Sequence, residues 1–110
     1  MHRTPGDDTI DYIPRGEVYC GHGGNDSVLN GNHGVFVGGP GSDYTYWNDG
    51  AFYGGPGKDW ALVNWKPFIG GPGDDEVWSN HGDFIGGPGY DVNDDGGGVF
   101  KPGQQKPQKN

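Results

Sequence analysis

The sequence is poor in the aliphatic side chains from which layered protein cores are built. Hydrophobic residues make up 30% of its 110 residues, whereas glycine alone contributes 25. A chain of this size forms one domain, and this composition excludes a thick core. It is therefore either a disordered glycine-rich segment or a thin, repetitive solenoid. The aromatic content of 14% favours the solenoid, because disordered chains are depleted in Phe, Tyr and Trp.

Basic residues are also scarce, which limits the partners of the chain. It has 7 Lys and Arg against 15 Asp and Glu, a net charge of −8. Nucleic-acid binding needs clustered Lys and Arg, so we expect no nucleic-acid partner, and anionic membrane surfaces are disfavoured for the same reason. The excess of carboxylates suits divalent cations if the carboxylates converge in space. Otherwise the acidic residues only solubilise the surface.

Cysteine and long apolar runs are nearly absent. Cys20 is the single cysteine, which excludes a disulfide within the chain. The sequence places no base near Cys20, so an inert thiol is expected. No apolar stretch is long enough to cross a bilayer, so we expect no membrane insertion. The opening residues MHRTPGDDTI lack the apolar core of a classical signal peptide.

The dominant feature is an internal repeat whose blocks are equal in length and follow one another without a gap. Cut before each of four asparagines, the middle of the chain reads NHGVFVGGPGSDYTYW, NDGAFYGGPGKDWALV, NWKPFIGGPGDDEVWS and NHGDFIGGPGYDVNDD. Three columns recur in register, and their members are Asn32, Asn48, Asn64 and Asn80; Phe36, Phe52, Phe68, Phe84 and Phe100; and Asp43, Asp59, Asp75 and Asp91. Weaker copies with slightly longer spacings extend the Asp column upstream to Asp26 and Asp8.

A 16-residue period with two apolar columns predicts a solenoid turn with two short strands and two corners. The Phe column would point inward and face a column of mostly small residues: Ile10, Val28, Thr45, Ala61, Val77 and Asn93. The predicted fold class is all-β, a parallel β-roll (β-solenoid) of about six turns of roughly 16 residues. Residues 1–101 would form the domain, with 1–20 as a degenerate N-terminal cap, and residues 102–110 a disordered tail.

The glycine-rich corner of each turn has the chemistry of a calcium site. Glycine permits positive φ, so a Gly-Gly-Pro-Gly loop can curl until its carbonyls converge, and proline keeps its carbonyl although it lacks an N–H. Calcium takes six to eight oxygen ligands, including carbonyls and carboxylates. The alternative is a tight corner whose Asp caps backbone amides. Registered copies favour calcium, because carboxylates stacked roughly 5 Å apart repel one another unless they are neutralised.

Four segments, GGPGSDYTY, GGPGKDWAL, GGPGDDEVW and GGPGYDVND, resemble the RTX (repeats-in-toxin) nonapeptide Gly-Gly-x-Gly-x-Asp-x-U-x, in which U is apolar. The resemblance covers roughly residues 3–101. It implies a right-handed parallel β-roll with Ca²⁺ between successive loops, about three to five ions in all. Proteins of this family are commonly exported by bacteria and often fold only with calcium. We therefore expect an extracellular or cell-surface protein of bacterial or phage origin, without a classical signal peptide.

The resemblance also implies the ligands, position by position. The carboxylate ligands would be Asp43, Asp59, Asp75 and Asp91, with Asp26 as a less regular member. The carbonyl ligands would be those of Gly38, Pro40, Ser42, Gly54, Pro56, Lys58, Gly70, Pro72, Asp74, Gly86, Pro88 and Tyr90.

The chain departs from the RTX pattern at the other corner of each turn. There, a shorter segment such as WNDGAFY replaces the second nonapeptide, so one edge is expected to bind calcium and the other to form an Asn-containing turn. Ions are expected in the three gaps among loops 38–43, 54–59, 70–75 and 86–91. The two upstream gaps stay open, because residues 21–26 read GHGGND and residues 3–8 read RTPGDD.

A second candidate site lies on the outward side of the strands that follow the Asp column. Its residues would form one exposed aromatic stripe, and they are Tyr44, Tyr46, Trp60, Leu62 and Trp78. The stripe is either a binding face for a glycan, a partner protein or ice, or a surface for dimer packing or for cover by a terminus.

The remaining patterns carry less chemistry. The Asn column predicts either a ladder of amides or a set of independent turn residues. His33 and His81 share a column, but Asp49 and Trp65 intervene, which disfavours zinc. The patterns HExxH, GxSxG and the phosphate loop are absent, so no enzyme is expected. Two hypotheses result: a calcium-dependent structural or adhesive module, and a ligand-binding module in which calcium is only a scaffold.

Overall fold

The computed structural model describes residues 7, 9–21, 23–89, 91–94 and 96–101. Over these residues the chain is a parallel β-solenoid of about six turns, with two strands in each turn and no helix. The predicted fold class is therefore confirmed. No described segment forms a helix with the length and apolarity to span a membrane. The predicted tail at 102–110, and residues 1–6 and Asp8 of the predicted cap, lie outside the described residues.

Two six-stranded sheets face each other, and each turn contributes one strand to both. The first sheet contains β1 (Thr9–Ile13), β3 (Ser27–Asn32), β5 (Tyr44–Asn48), β7 (Trp60–Asn64), β9 (Glu76–Asn80) and β11 (Val92–Asn93). The second sheet contains β2 (Val18–Cys20), β4 (Val35–Val37), β6 (Ala51–Tyr53), β8 (Phe68–Ile69), β10 (Asp83–Ile85) and β12 (Val99–Lys101). Neighbouring strands in each sheet are parallel and one turn apart in sequence.

The core is the predicted Phe ladder, packed against the column of small residues. Phe36, Phe52, Phe68 and Phe84 are fully buried, and their rings stack with successive centroid distances of 4.8, 4.4 and 5.0 Å. Large rings on one sheet meet small side chains on the other, so the roll is thin, as its composition requires. Buried members of the small column are Val28, Thr45, Ala61 and Val77.

The longer turn between Asp26 and Asp43 keeps the same register at both corners as the turns that follow it. Its one extra residue lies in β3, which has six residues where β5 has five. The β3–β5 pairing shifts register between Val28 and Asn32, which is a local bulge. Pairing resumes with Asn32 opposite Asn48, so the insertion disturbs neither column.

The Asn column forms a continuous ladder of buried amides, which decides between the two interpretations of that column. We call this the asparagine corner; it contains Asn32, Asn48, Asn64 and Asn80. The first three each donate a side-chain N–H to the amide oxygen of the asparagine in the next turn, at 2.9, 2.8 and 3.0 Å in succession. Each side chain also donates to a backbone carbonyl of the next turn, for example Asn80 to Val99 at 2.9 Å.

Candidate metal centre

The Gly-Gly-Pro-Gly loops need glycine at three positions for two different reasons. In the loop that starts at Gly38, Gly39 and Gly41 have φ of 81° and 111°, a region that other residues rarely adopt. Gly38 has no such φ, but a Cβ there would overlap the carboxylate of Asp43. The next three loops repeat both features, as at Gly54, which faces Asp59 in the same way. The loop is therefore shaped around an inward-turned aspartate.

The Asp column runs through the interior as a second ladder, which we call the aspartate corner. Its members Asp26, Asp43, Asp59, Asp75 and Asp91 are all buried. The backbone N–H of each of the first four donates to Oδ1 of the Asp in the following turn, at 2.8 to 2.9 Å. The side chains of Asp43, Asp59 and Asp75 thus do cap backbone amides, but across turns and through Oδ1 alone.

The second carboxylate oxygen is the unusual feature of this corner. Oδ2 of Asp43, Asp59 and Asp75 is buried and accepts no hydrogen bond. Native proteins leave few buried polar atoms without a partner, because each one forfeits its hydration. These three oxygens, in register on successive turns, are atoms that a proton or a cation would satisfy.

The electrostatics of the corner agree with this. Burial, with a contribution from the neighbouring Asp charges, raises the pKa of Asp43 to about 7 and that of Asp59 to about 9. Burial likewise raises the pKa of Asp75 to about 8. Near neutral pH the ionised ladder is unfavourable as it stands, so the carboxylates must take up either protons or a counter-cation.

The donor set matches a hard cation in type. From Asp26 to Asp91, each pair of adjacent turns brings two Asp residues next to each other, and backbone carbonyls lie on the same loops. The Pro72 and Pro88 carbonyls each accept one backbone N–H, from Gly57 at 3.1 Å and from Gly73 at 3.0 Å, which leaves a second lone pair on each oxygen. Within the described residues no three His, Cys, Asp or Glu side chains converge. A six- to eight-coordinate ion would thus need carbonyl or water oxygens in addition to the aspartates.

The predicted ligand residues lie in the glycine-rich loops at equivalent positions of successive turns, but they differ in burial. The leading glycines are buried, whereas the prolines, Ser42, Lys58 and the Asp74 side chain are exposed, so the last three residues would contribute only their carbonyls. Asp26 belongs to the ladder in spite of its degenerate loop, since its N–H donates to Asp43. Tyr90 lies outside the described residues.

The predicted aromatic stripe is present, but it is less exposed than expected. Tyr44 and Trp60 stack face to face at 4.5 Å, and Trp60 stacks on Trp78 at 5.8 Å. Because their rings cover one another, Tyr44 and Trp60 are half-buried; Leu62 is also half-buried. Only Tyr46 and Trp78 are strongly exposed, at 44% and 50%.

Sequence reasoning missed a second group of exposed rings, at the asparagine corner. Trp47 and Trp65 are both 42% exposed. Strict alternation would turn Trp47 inward, because it assigns Tyr46 to the outside. However, both Thr45 and Asn48 are buried, so the two residues between them must face outward. The three-residue separation of these inward columns was the available signal.

The chemistry of the aspartate corner therefore suits protons or hard cations. The aromatic stripe and the Trp47–Trp65 pair have the chemistry of contact surfaces for ligands. No protein-family model, curated protein or solved structure matches the chain. The assignment of function rests on this geometry and on the repeat itself.

Proposed function

We propose that this chain is a calcium-binding β-roll module with a structural or adhesive role, whose folding is coupled to calcium binding between its stacked GGPGxD loops. One observation carries the proposal: Oδ2 of Asp43, Asp59 and Asp75 is buried without a hydrogen bond. Calcium is a hard cation that binds such oxygens. Its charge offsets the repulsion between stacked carboxylates, which nothing else in the described structure neutralises.

The ions would lie between successive loops, held by the aspartate of each loop and by carbonyls of the Gly, Pro and following residues. Calcium supplies the positive charge and a demand for six to eight oxygens. The residues of the chain supply the rest. The glycines shape the loop around the Asp side chain, and the inter-turn N–H bonds orient each carboxylate through Oδ1. Three to five ions would fill the roll.

Coupled folding follows from the thinness of the roll. Its core is one stack of Phe rings against small side chains, so hydrophobic burial alone is modest. Binding energy that is available only in the folded state adds directly to stability. Such a module suits an extracellular or cell-surface setting, where calcium is plentiful, and membership of the RTX family is part of the proposal.

Circular dichroism with and without EGTA tests the proposal. We expect little β signal in EGTA, cooperative recovery on titration with calcium, and weaker recovery with magnesium, which demands a smaller, octahedral site. If EGTA leaves the β signal unchanged, the proposal that calcium binding drives folding is wrong.

A second candidate function uses the aromatic stripe, with calcium as scaffold. The stack of Tyr44, Trp60 and Trp78, with Tyr46 beside it at 5.5 Å from Tyr44, favours a contact surface for a glycan, a partner protein, a second copy of the chain or ice. Large aromatic side chains supply much of the energy of protein interfaces. The test is alanine substitution of Trp60 and Trp78, with binding and oligomeric state measured. Unchanged behaviour towards every ligand tested removes this candidate.

A further inference from the structure

A groove lies at the asparagine corner, away from both the calcium loops and the aromatic stripe. We call it the corner groove; its lining is Trp47, Asp49, Trp65 and Lys66. The cavity volume is about 270 Å³, slightly below the roughly 300–1,000 Å³ typical of pockets for drug-sized ligands. The groove therefore suits a compact unit, such as one or two sugar rings, better than a large ligand.

Two tryptophans form the apolar part of the corner groove. Their rings are 5.8 Å apart and inclined at 41°, so they do not cover each other as the parallel Phe rings of the core do. His81, which does not line the groove, stacks on Trp65 at 4.4 Å and 16°. This contact holds the Trp65 ring in place and occupies one of its faces. The groove thus presents preorganised aromatic surface to solvent.

Opposite charges form the polar part of the groove. Asp49 Oδ1 lies 3.9 Å from Lys66 Nζ, and Asp49 Oδ2 lies 3.4 Å from His33 Nδ1. Both separations exceed the roughly 2.7–3.2 Å of a good N–H···O hydrogen bond. The carboxylate and the ammonium are therefore near each other but retain acceptors and donors for a ligand.

This combination selects among ligand classes. A cation would face Lys66, and an anion would face Asp49 in a chain whose net charge is already −8. A purely apolar ligand would displace water from both charged groups and offer them no hydrogen bond in return, which is costly. A neutral molecule with one apolar face and several hydroxyl groups suits every part: the face packs on the rings, and adjacent hydroxyls donate to Asp49 and accept from Lys66.

We infer that the corner groove is a binding site for a sugar unit of a neutral carbohydrate. Trp47 and Trp65 stack on the ring of the sugar, and Asp49 and Lys66 form hydrogen bonds with its hydroxyl groups. The site is distinct from the calcium loops and adds a ligand that neither the calcium module nor the stripe requires.

The test is calorimetric titration of the calcium-loaded chain with neutral hexasaccharides: cellohexaose, maltohexaose, mannohexaose and fully N-acetylated chitohexaose. We expect at least one to bind with a Kd of about 1 mM or tighter. Trp47→Ala and Trp65→Ala should each weaken binding at least about tenfold. The matched control is Tyr53→Ala, which removes a ring of similar exposure, 43% against 42%, from the second sheet and should leave the affinity unchanged.

A second measurement does not depend on variants that fold. The chain has four tryptophans, so the indole N–H resonances report each ring separately; the sugar should shift Trp47 and Trp65 and leave Trp60 and Trp78 in place. Two charged hexamers, hexagalacturonate and the chitosan hexamer, are titrated in the same way. The inference is wrong if none of the four neutral sugars binds, if the chain prefers a charged hexamer, or if only the Trp60 and Trp78 resonances shift. Circular dichroism without sugar reports the calcium requirement separately, so the two proposals fail independently.

Discussion

The two corners of each turn are buried to the same degree, yet they are satisfied in opposite ways. At the asparagine corner every amide both donates and accepts, so Asn48 and Asn64 join into a chain that closes within the protein. At the aspartate corner the carboxylates only accept. Asp59 and Asp75 use one oxygen for a backbone N–H and leave the other without a donor.

The difference is a single atom per turn, oxygen in place of nitrogen, and it separates two kinds of ladder. A stacked amide column is neutral and complete at any pH and any ion concentration. A stacked carboxylate column is complete only when protons or cations arrive. The asparagine corner is therefore expected to hold the turns in register permanently, and the aspartate corner to make the fold conditional.

Converting one corner into the other should have the largest effect. Asn64→Asp removes the donors to Asn80 and to the Asp83 carbonyl and places a charge where the described structure offers no cation. A buried charge without compensation costs about 3–5 kcal/mol, which chemical denaturation in saturating calcium would measure. The deficit relative to the unsubstituted chain should shrink at acidic pH, where the new carboxyl is neutral. Equal stability of the two chains at pH 7 would show that the corners are not distinct.

Acid should substitute in part for calcium at the aspartate corner. Burial raises the pKa of Asp43 to about 7 and of Asp75 to about 8 from an ordinary 3.8. Without metal, these two groups bind more protons in the folded state than in the unfolded state over this interval, so their contribution to stability is complete below about pH 4 and is lost as pH rises towards 8. We expect the folded-to-unfolded ratio in metal-free buffer to be at least about fivefold higher at pH 5 than at pH 8.

Calcium should reverse this pH dependence of stability, because it binds the ionised carboxylates and competes with protons. Circular dichroism measures the folded-to-unfolded ratio at pH 5 and at pH 8, once in buffer stripped of metal and once in excess calcium. EGTA is unsuitable at the acidic end because protons displace calcium from it. A metal-free chain that is more stable at pH 8 than at pH 5 would contradict the assignment of the Asp ladder.

The smallest effect is expected from a comparison of substitutions at two neighbouring residues of one loop. Asp75 is buried in the ladder and Asp74 is exposed. Asp75→Asn should remove a ligand from two gaps, weaken calcium binding about tenfold or more, and make the metal-free roll more stable because one stacked charge is lost. Asp74→Asn keeps its carbonyl and should change neither quantity strongly. Calorimetric titration with calcium decides, and identical behaviour of the two variants would show that the buried carboxylate is not a ligand.

Most of the fold could be predicted from the sequence because the repeat determines the register. Side chains that recur once in every block, such as Phe36 and Phe52, must face the same way if the turns stack, and the pairing of β4 with β6 follows. Periodicity says less about hydrogen bonds. It could not tell an amide ladder from separate turn residues at Asn32 and Asn48, because that depends on side-chain rotamers.

The candidate sites were predictable to different degrees. The sequence showed the Asp column but not its hydrogen bonds. Each of these bonds joins the backbone of one residue to the side chain of another, as from Asp43 N–H to Asp59. Because every residue but proline has a backbone N–H, the repeat does not show which of them donate to the Asp side chains. The corner groove was missed because Trp47 and Trp65 occupy different columns of successive turns. Only the folded corner brings them to 5.8 Å.

The identical register of successive turns has a consequence for how such a chain can change in length. Residues 48–63 form one unit whose lower and upper surfaces match those of its neighbours, with Thr45 opposite Ala61 below and Ala61 opposite Val77 above. Duplicating or deleting that unit would preserve the type of contact between neighbouring turns. The molecule would lengthen or shorten by one strand spacing of about 4.8 Å. Duplication of a short gene segment would therefore be enough to change the length of the roll.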